Sequence, residues 1–202
     1  MAEARSLRSG DKLSLDKINC LIIDDNMQSL DILGTVCAGF GMRNTTKCQS
    51  PLEAQSLLQR SVFDFILTDV EMPEMNGYDL VKWIRREASE ANRFVPIIIV
   101  TGHTRVSQIM RARDCGAHFI ITKPVTPKVL LDRITWVARD ERSFIECDAY
   151  CGPDRRFKRE GPPAGMNGRR TDDLPAEVGD AVGGNLSQDE INAMMKPAKV
   201  SL

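Results

Sequence analysis

Histidine is scarce in this sequence of 202 residues, which contains only two. Neither histidine lies near Cys147 and Cys151, so a zinc site at that cysteine pair would need ligands from elsewhere. The six cysteines are scattered, and most of them lie in apolar or periodic segments. This distribution favours structural thiols in a reducing compartment over a disulfide framework.

Long apolar runs and a strong net charge are also missing. No stretch is long enough to span a bilayer, and residues 1–17, predicted to be flexible, lack the apolar core of a secretory signal. The formal net charge is -1 and the sequence pI is about 6.2, which argues against a nucleic-acid coat or a membrane-surface protein. We therefore expect a cytoplasmic protein without a membrane span.

Short apolar runs alternate with helical patterns between residues 18 and 140. The runs that predict buried strands are CLIIDD, FDFILTD, VPIIIVTG and AHFIITKP. A helix is predicted to begin after Ser50, with Pro51 in its first position and Glu53 completing a capping box. A fivefold alternation of strand and helix predicts an α/β domain whose parallel sheet is covered on both faces.

The composition changes after residue 140. Residues 141–184 are rich in glycine, proline and charge, which predicts a linker that does not fold alone. Residues 185–197 predict a short amphipathic helix, with Ser187 and Glu190 as a capping box and Ile191 on its apolar face. That helix could dock into a groove on a partner or pack against its own domain, and the sequence leaves both alternatives open.

Polar residues end the predicted strands, and their chemistry forms a coherent set. They are Asp24, Asp25, Asp69, Thr101 and Lys123. In a parallel sheet the site lies beyond the carboxyl ends of the strands, so these residues are expected to converge. Carboxylates suit Mg²⁺, an aspartate can accept a phosphoryl group, and a hydroxyl and a cation can bind the new phosphoryl oxygens. Each residue alone could be an ordinary polar strand end, but five together argue against that.

These residues lie in motifs that resemble the receiver domain of two-component response regulators, over residues 18–140. The motifs are IIDDN, LTDVEMPEMNGYDL, IIIVTG and GAHFIITKP. The resemblance implies a flavodoxin-like fold with a five-stranded doubly wound sheet, and phosphorylation of Asp69 by a histidine kinase or phosphotransfer protein. It also implies Mg²⁺ binding by Asp24, Asp25, Asp69 and the carbonyl of Glu71. Thr101 and Lys123 would contact the phosphoryl group, and Pro124 would follow a cis peptide bond.

One position departs from the receiver pattern. The aromatic residue that usually switches on the fifth strand is replaced by Ile120, with Phe119 beside it. An isoleucine cannot couple phosphorylation to the surface in the same way, so we expect another input to share control.

The tail combines paired arginines with aspartates. The residues are Asp154, Arg155, Arg156, Arg169, Arg170, Asp172 and Asp173. Arginine binds the O6/N7 edge of guanine and carboxylates can accept its N1 and N2 protons, which favours a guanine ligand with phosphates over a simple polyanion. GPDRR and GRRTDD resemble the tail of chemotaxis-type (CheY-like) cyclic-di-GMP effectors, which act at the flagellar motor. RNA, anionic lipid headgroups and a solvated linker are the alternatives.

Two functions follow from these patterns. The first is a response regulator, phosphorylated on Asp69, whose tail binds cyclic di-GMP and controls contact with a motility or flagellar motor partner. The alternative is a stand-alone phosphotransfer receiver that regulates a kinase or partner protein and has an inert tail. Neither is an enzyme beyond its own phosphoryl transfer and slow dephosphorylation. The sequence shows no DNA-binding output domain. LSQDEINAMM also resembles the N-terminal peptide of the flagellar switch protein, which suggests self-docking or competition.

Overall fold

The structure, a computed structural model, describes residues 14–102, 105–140, 142–154 and 187–195, with residues 193–195 as backbone only. The described strands are β1 (Asn19–Ile23), β2 (Asn44–Cys48), β3 (Phe65–Asp69), β4 (Ile97–Thr101), β5 (Phe119–Thr122), β6 (Phe144–Cys147) and β7 (Tyr150–Pro153). The described helices are α1 (Met27–Gly39), α2 (Pro51–Arg60), α3 (Gly77–Glu87), α4 (Glu90–Arg93), α5 (Val106–Asp114), α6 (Pro127–Ala138) and α7 (Gln188–Met195). None of these helices has the length and apolarity that crossing a membrane requires.

Five strands form one parallel sheet in the order β2-β1-β3-β4-β5. Every residue of β3 and β4 is buried, and because successive side chains point to opposite faces, both faces of the sheet are covered. The predicted five-stranded, doubly wound parallel sheet is therefore confirmed. Strand order reverses between the neighbours β1 and β3, which is where such sheets place their sites.

The edge strand β2 was not among the apolar runs found in the sequence. Its residues, NTTKC, are mostly polar and at least partly exposed, with only Cys48 buried. An edge strand pairs with one neighbour only and can expose much of its length, so no continuous apolar run is needed to form it.

Local sequence signals set the ends of two helices. Ser50 caps α2 by accepting a hydrogen bond from the Leu52 N–H, and Pro51 is its first residue, as predicted. Glu53 does not complete the expected capping box, because its carboxylate accepts from the Gln49 N–H and the Cys48 thiol instead. Gly116, with φ of +96°, follows α5 as the predicted C-terminal glycine.

The linker predicted from residue 141 instead begins with an antiparallel hairpin, formed by β6 and β7. Tyr150 and Cys151 are buried, and β7 packs against α3. Gly116 and Gly152 face each other so closely that a Cβ added to Gly152 would lie 2.6 Å from the Gly116 Cα. The segment packed against the domain therefore extends at least to Pro153. A few buried side chains and a close backbone approach suffice to hold it there, despite its glycine and proline content.

A buried arginine connects the hairpin to the domain. Arg85 donates hydrogen bonds to the carbonyls of Gly116 (3.0 Å), Arg93 (2.7 Å) and Val95 (2.9 Å), and its guanidinium carbon lies 5.1 Å from the centre of the Phe144 ring. Burial lowers the pKa of Arg85 to about 10, so the guanidinium stays charged at neutral pH. Carbonyl dipoles and an aromatic face replace the water that this charge loses on burial.

His118 is buried beside that arginine and is held neutral. Its Nδ1 accepts a hydrogen bond from the Ile97 N–H (3.2 Å) and lies 3.3 Å from Nη2 of Arg85. Burial, together with the charges of Arg85 and Arg142, lowers the pKa of His118 well below 6.5. Protonation would therefore cost both solvation and the acceptor role of Nδ1.

This arrangement predicts an acid-sensitive fold. Above pH 6.5 His118 is neutral in both folded and unfolded chains, whereas below pH 6.5 only the unfolded chain takes up a proton. The free energy of unfolding should then fall by up to about 1.4 kcal/mol per pH unit from this group. Urea unfolding at pH 7.5 and 5.5 measures the effect. His118→Gln should reduce the pH dependence, while His103→Gln should keep it. An unchanged pH dependence in His118→Gln would contradict the assignment.

Candidate functional site

The carboxyl ends of the central strands bring the acidic residues together. Asp24 and Asp25 follow β1, and Asp69 is the last residue of β3, the neighbouring strand. One carboxylate oxygen from each of the three lies within 4.8 Å of the others. Asp24 and Asp69 are buried and Asp25 is exposed, so the cluster opens to solvent on one side.

Lys123 bridges two of these carboxylates. Its Nζ lies 2.8 Å from Oδ2 of Asp24 and 3.0 Å from Oδ1 of Asp69. Lys123 directly follows β5, and its N–H donates to the carbonyl of Thr101, the buried last residue of β4. The structure therefore places all five strand-end residues at one edge of the sheet.

The charges in this cluster do not balance. Three carboxylates face one ammonium group. Burial and the charge of Asp24 raise the pKa of Asp69 above its usual value, against the opposing effect of Lys123. Burial alone would lower the pKa of Lys123, but its two carboxylate partners outweigh burial and raise it. The remaining negative charge is the kind that a divalent cation neutralises.

The second oxygen of Asp69 is also positioned by the chain. Its Oδ2 accepts a hydrogen bond from the N–H of Glu71 at 3.0 Å, so the loop after β3 turns back over the carboxylate. Oδ2 of Asp24 pairs with Lys123, while its Oδ1 accepts from the Asn26 N–H at 2.9 Å. The acidic oxygens thus have fixed orientations. The predicted role of the Glu71 carbonyl as a metal ligand stays a prediction.

The donor set of this cluster fits a magnesium ion. Mg²⁺ prefers oxygen ligands and is often held by one or two carboxylates. Asp24, Asp25 and Asp69 supply such oxygens close together, and they form the metal-capable group found in the described part of the chain. These residues would hold the ion.

Gly77 is a site residue that the sequence analysis did not single out. A Cβ added there would lie 2.0 Å from the carbonyl oxygen of Asp69, and the Gly77 N–H donates to the carbonyl of Val70 at 2.9 Å. Asn76 caps α3 by accepting from the Asp79 N–H. The Asn-Gly dipeptide before an apolar helical pattern was the available signal, because only glycine permits this approach of α3 to the end of β3.

The Lys123–Pro124 peptide bond is cis, as the resemblance implied. The predicted tail site is largely outside the described residues, which include Asp154 but not Arg155, Arg156, Arg169, Arg170, Asp172 or Asp173. The Asp154 N–H donates to the carbonyl of Ser143 at 2.7 Å, next to the hairpin. The predicted contacts of this set with a nucleotide stay a prediction.

Comparison with known proteins agrees with this geometry. The family model of the response regulator receiver domain matches residues 20–135, which is more than half of the chain. The chain belongs to the response regulator receiver domain family. Receiver domains generally bind Mg²⁺ at acidic residues and take their phosphoryl group from a histidine kinase or a phosphotransfer protein.

Individual relatives share the receiver domain. The chain is 33% identical to chemotaxis protein CheY-3 of Vibrio cholerae over 114 residues, covering 56% of this chain and 86% of that protein. Identity to the response regulator SaeR of Staphylococcus aureus is 36% over 114 residues, covering 56% of this chain and 47% of SaeR. Among solved structures, Vibrio cholerae CheY4 superposes with a TM-score of 0.55 at 27% identity, covering 59% of this chain and 98% of CheY4.

The close packing at Gly77 generates a prediction for this receiver. Gly77→Ala should lower the free energy of unfolding by about 1–3 kcal/mol, because the new methyl group meets the backbone of Asp69 at the end of β3. The control is Gly39→Ala, in α1, where an added Cβ meets nothing within 4 Å. Urea unfolding of both variants measures the difference. Equal stability of the two variants would show that α3 can shift away without cost.

Proposed function

We propose that this receiver accepts a phosphoryl group on Asp69 and that its tail binds cyclic di-GMP to control a motility partner. The bridge that Lys123 makes between Asp24 and Asp69 carries the first part of the proposal. The arginine–aspartate pattern that begins next to the hairpin supports the second part.

The proposed transfer begins with a carboxylate oxygen of Asp69 as the nucleophile. This oxygen attacks phosphorus in a phosphohistidine, the P–N bond breaks, and a P–O bond forms to give an aspartyl phosphate. Asp24, Asp25 and Asp69 would hold a magnesium ion, which would supply charge stabilisation for the phosphoryl oxygens. The histidine of the donor protein is the leaving group, and the chemistry of this chain is limited to transfer of that phosphoryl group to and from Asp69.

Three residues around Asp69 have separate roles in forming and stabilising the aspartyl phosphate. Lys123 is partly exposed and already lies 3.0 Å from Oδ1, so its ammonium can pair with a phosphoryl oxygen. Thr101 ends the adjacent strand β4, where its hydroxyl can donate to another oxygen. The Glu71 N–H holds Oδ2, which orients the carboxylate for attack.

Phosphorylation is tested by labelling the full chain with radioactive acetyl phosphate and magnesium. Asp69→Asn should abolish labelling because the amide is not a nucleophile, and Asp25→Asn should reduce it by about tenfold or more through weaker metal binding. The control is Asp132→Asn, an exposed carboxylate on α6. Labelling retained in Asp69→Asn would overturn the assignment of the acceptor.

The position of the hairpin supports a binding function for the tail. The hairpin is anchored to α3, and Arg155 and Arg156 follow its last described residue, Asp154, directly in sequence. Basic residues also lie near the turn of the hairpin, at the other end of β7. Arg86 donates to the carbonyl of Asp148 in the hairpin turn, and Lys82 lines a cleft beside Tyr150. Positive charge beside the hairpin, together with the arginines that follow Asp154 in the sequence, favours an anionic ligand.

The names of the relatives indicate which process the receiver could control. The proteins of Vibrio cholerae and Pseudomonas aeruginosa that this chain resembles are chemotaxis proteins, which supports a motility partner. SaeR shares the receiver, but the match spans about half of its length. Receiver domains therefore occur in proteins with different outputs. In this chain, the tail is the segment that indicates which output is served.

Nucleotide binding is tested by calorimetric titration of cyclic di-GMP into the full chain. We expect saturable binding that disappears when Arg155, Arg156, Arg169 and Arg170 are all replaced by alanine, because the guanidinium groups supply both base and phosphate contacts. Arg43→Ala, an exposed arginine outside the tail, is the matched control. Cyclic di-AMP should bind at least tenfold more weakly. An absence of heat would favour the receiver with an inert tail, and equal affinity for both nucleotides would exclude guanine recognition.

A further inference from the structure

The outer edge of β5 is covered by α7. β5 is the last strand of the sheet and pairs with β4 on its other side. An uncovered edge strand presents unpaired N–H and C=O groups, which attract other segments of chain. Here the covering segment comes from the same chain, from beyond residues 155–186.

A single side-chain amide satisfies both kinds of backbone group at this edge. Oε1 of Gln188 accepts from the N–H of Thr122 (2.8 Å) and from its hydroxyl (3.0 Å). Nε2 of Gln188 donates to the carbonyl of Ile120 at 3.2 Å. Gln188 therefore pairs with β5 as a neighbouring strand would, through one donor and one acceptor. Neither a carboxylate nor an alkyl side chain could make both contacts.

Other contacts fix this amide and the helix that carries it. Nε2 also donates to Oδ1 of Asn192, one turn further along α7, which sets the orientation of the amide. Ser187 and Glu190 form the predicted capping box, so α7 begins at the point of contact. Ile191 is completely buried and belongs to the main hydrophobic core. The contact thus combines a polar recognition element with an apolar anchor.

Charge and aromatic packing favour the same docked position. Asp189 of α7 interacts electrostatically with Arg133 of α6. The Arg133 guanidinium carbon lies 4.4 Å from the centre of the Phe119 ring of β5. Residues on α6 and β5 are therefore complementary to α7 in charge as well as in shape.

We propose that the β5 edge is a docking site for a short amphipathic helix and that α7 occupies it as an intramolecular ligand, with Gln188 as the specificity-determining residue. A partner helix that carries glutamine three residues before a large apolar residue would compete for the same edge. Thr122 directly precedes Lys123, whose N–H donates to Thr101 at the phosphoacceptor site. Release of α7 is thereby linked to the position of Lys123, and the linkage acts in both directions.

The test compares full-length chains that differ in α7. Amide hydrogen exchange of Thr122 is measured in the unmodified chain and in Gln188→Ala, Gln188→Glu and Ile191→Asp. Gln188→Ala and Ile191→Asp should each raise the exchange rate of Thr122 by about tenfold or more, since the bond from its N–H to residue 188 is lost or weakened. Gln188→Glu should raise the exchange rate less than Gln188→Ala, because a carboxylate can still accept from the Thr122 N–H but cannot donate to the Ile120 carbonyl. Gln49→Ala, an exposed glutamine outside the contact, is the control.

A second measurement asks whether the vacated edge binds a helix in trans. A fluorescent peptide of residues 185–197 should bind Gln188→Ala and Ile191→Asp at least tenfold more tightly than the unmodified chain, because the intramolecular competitor has been weakened. Unchanged Thr122 exchange in all variants, or equal peptide affinity for all chains, would overturn the proposal. Thr122 protection that increases with protein concentration would assign the edge to a second copy and overturn the intramolecular assignment.

Discussion

The ion pairs of Lys123 with Asp24 and Asp69 are the interaction on which the receiver site depends. They join residues from the ends of three strands, since Asp24 follows β1, Asp69 ends β3 and Lys123 follows β5. The strand order that places β1 beside β3 creates the carboxylate cluster, and one ammonium group leaves that cluster with surplus negative charge. A divalent cation bound at such a site would be favoured, because it would offset this surplus negative charge.

A second buried charge, that of Arg85, stabilises the part of the domain next to the hairpin. Arg85 is as deeply buried as Asp24, yet it contacts carbonyl oxygens, an imidazole and an aromatic ring rather than a carboxylate. These contacts connect α3, the segment after α5, and the hairpin of β6 and β7. The described part of this segment ends at Asp154, directly before Arg155 in the sequence. The buried cation that holds the hairpin therefore also fixes the point from which the tail continues.

The sequence predicted the apolar strands and the strand-end residues because both depend on local patterns. An apolar run such as FILTD identifies a buried strand. In a parallel sheet, the polar residue that ends such a strand is then predicted to lie with those that end its neighbours. The edge strand β2 and the hairpin were missed because their formation depends on neighbours that are distant in sequence. The need for glycine at position 77 also depends on a distant contact, with the carbonyl of Asp69. The pairing of Gln188 with Thr122 joins residues 66 positions apart, and no local pattern specifies it.

The fifth strand connects the carboxylate cluster to the C-terminal helix α7. Ile120 is buried and stands where the resemblance to receivers implied an aromatic residue, so β5 has no ring at this position that could rotate. Its carbonyl and the Thr122 N–H instead contact Gln188, while the next residue, Lys123, contacts Asp69. A shift of the backbone between Ile120 and Lys123 would therefore change the contacts with Gln188 and with Asp69 together, without an aromatic side chain. A helix that binds this edge and a ligand that binds Lys123 would act on the same short segment, and that shared segment is the physical basis of the coupling we propose.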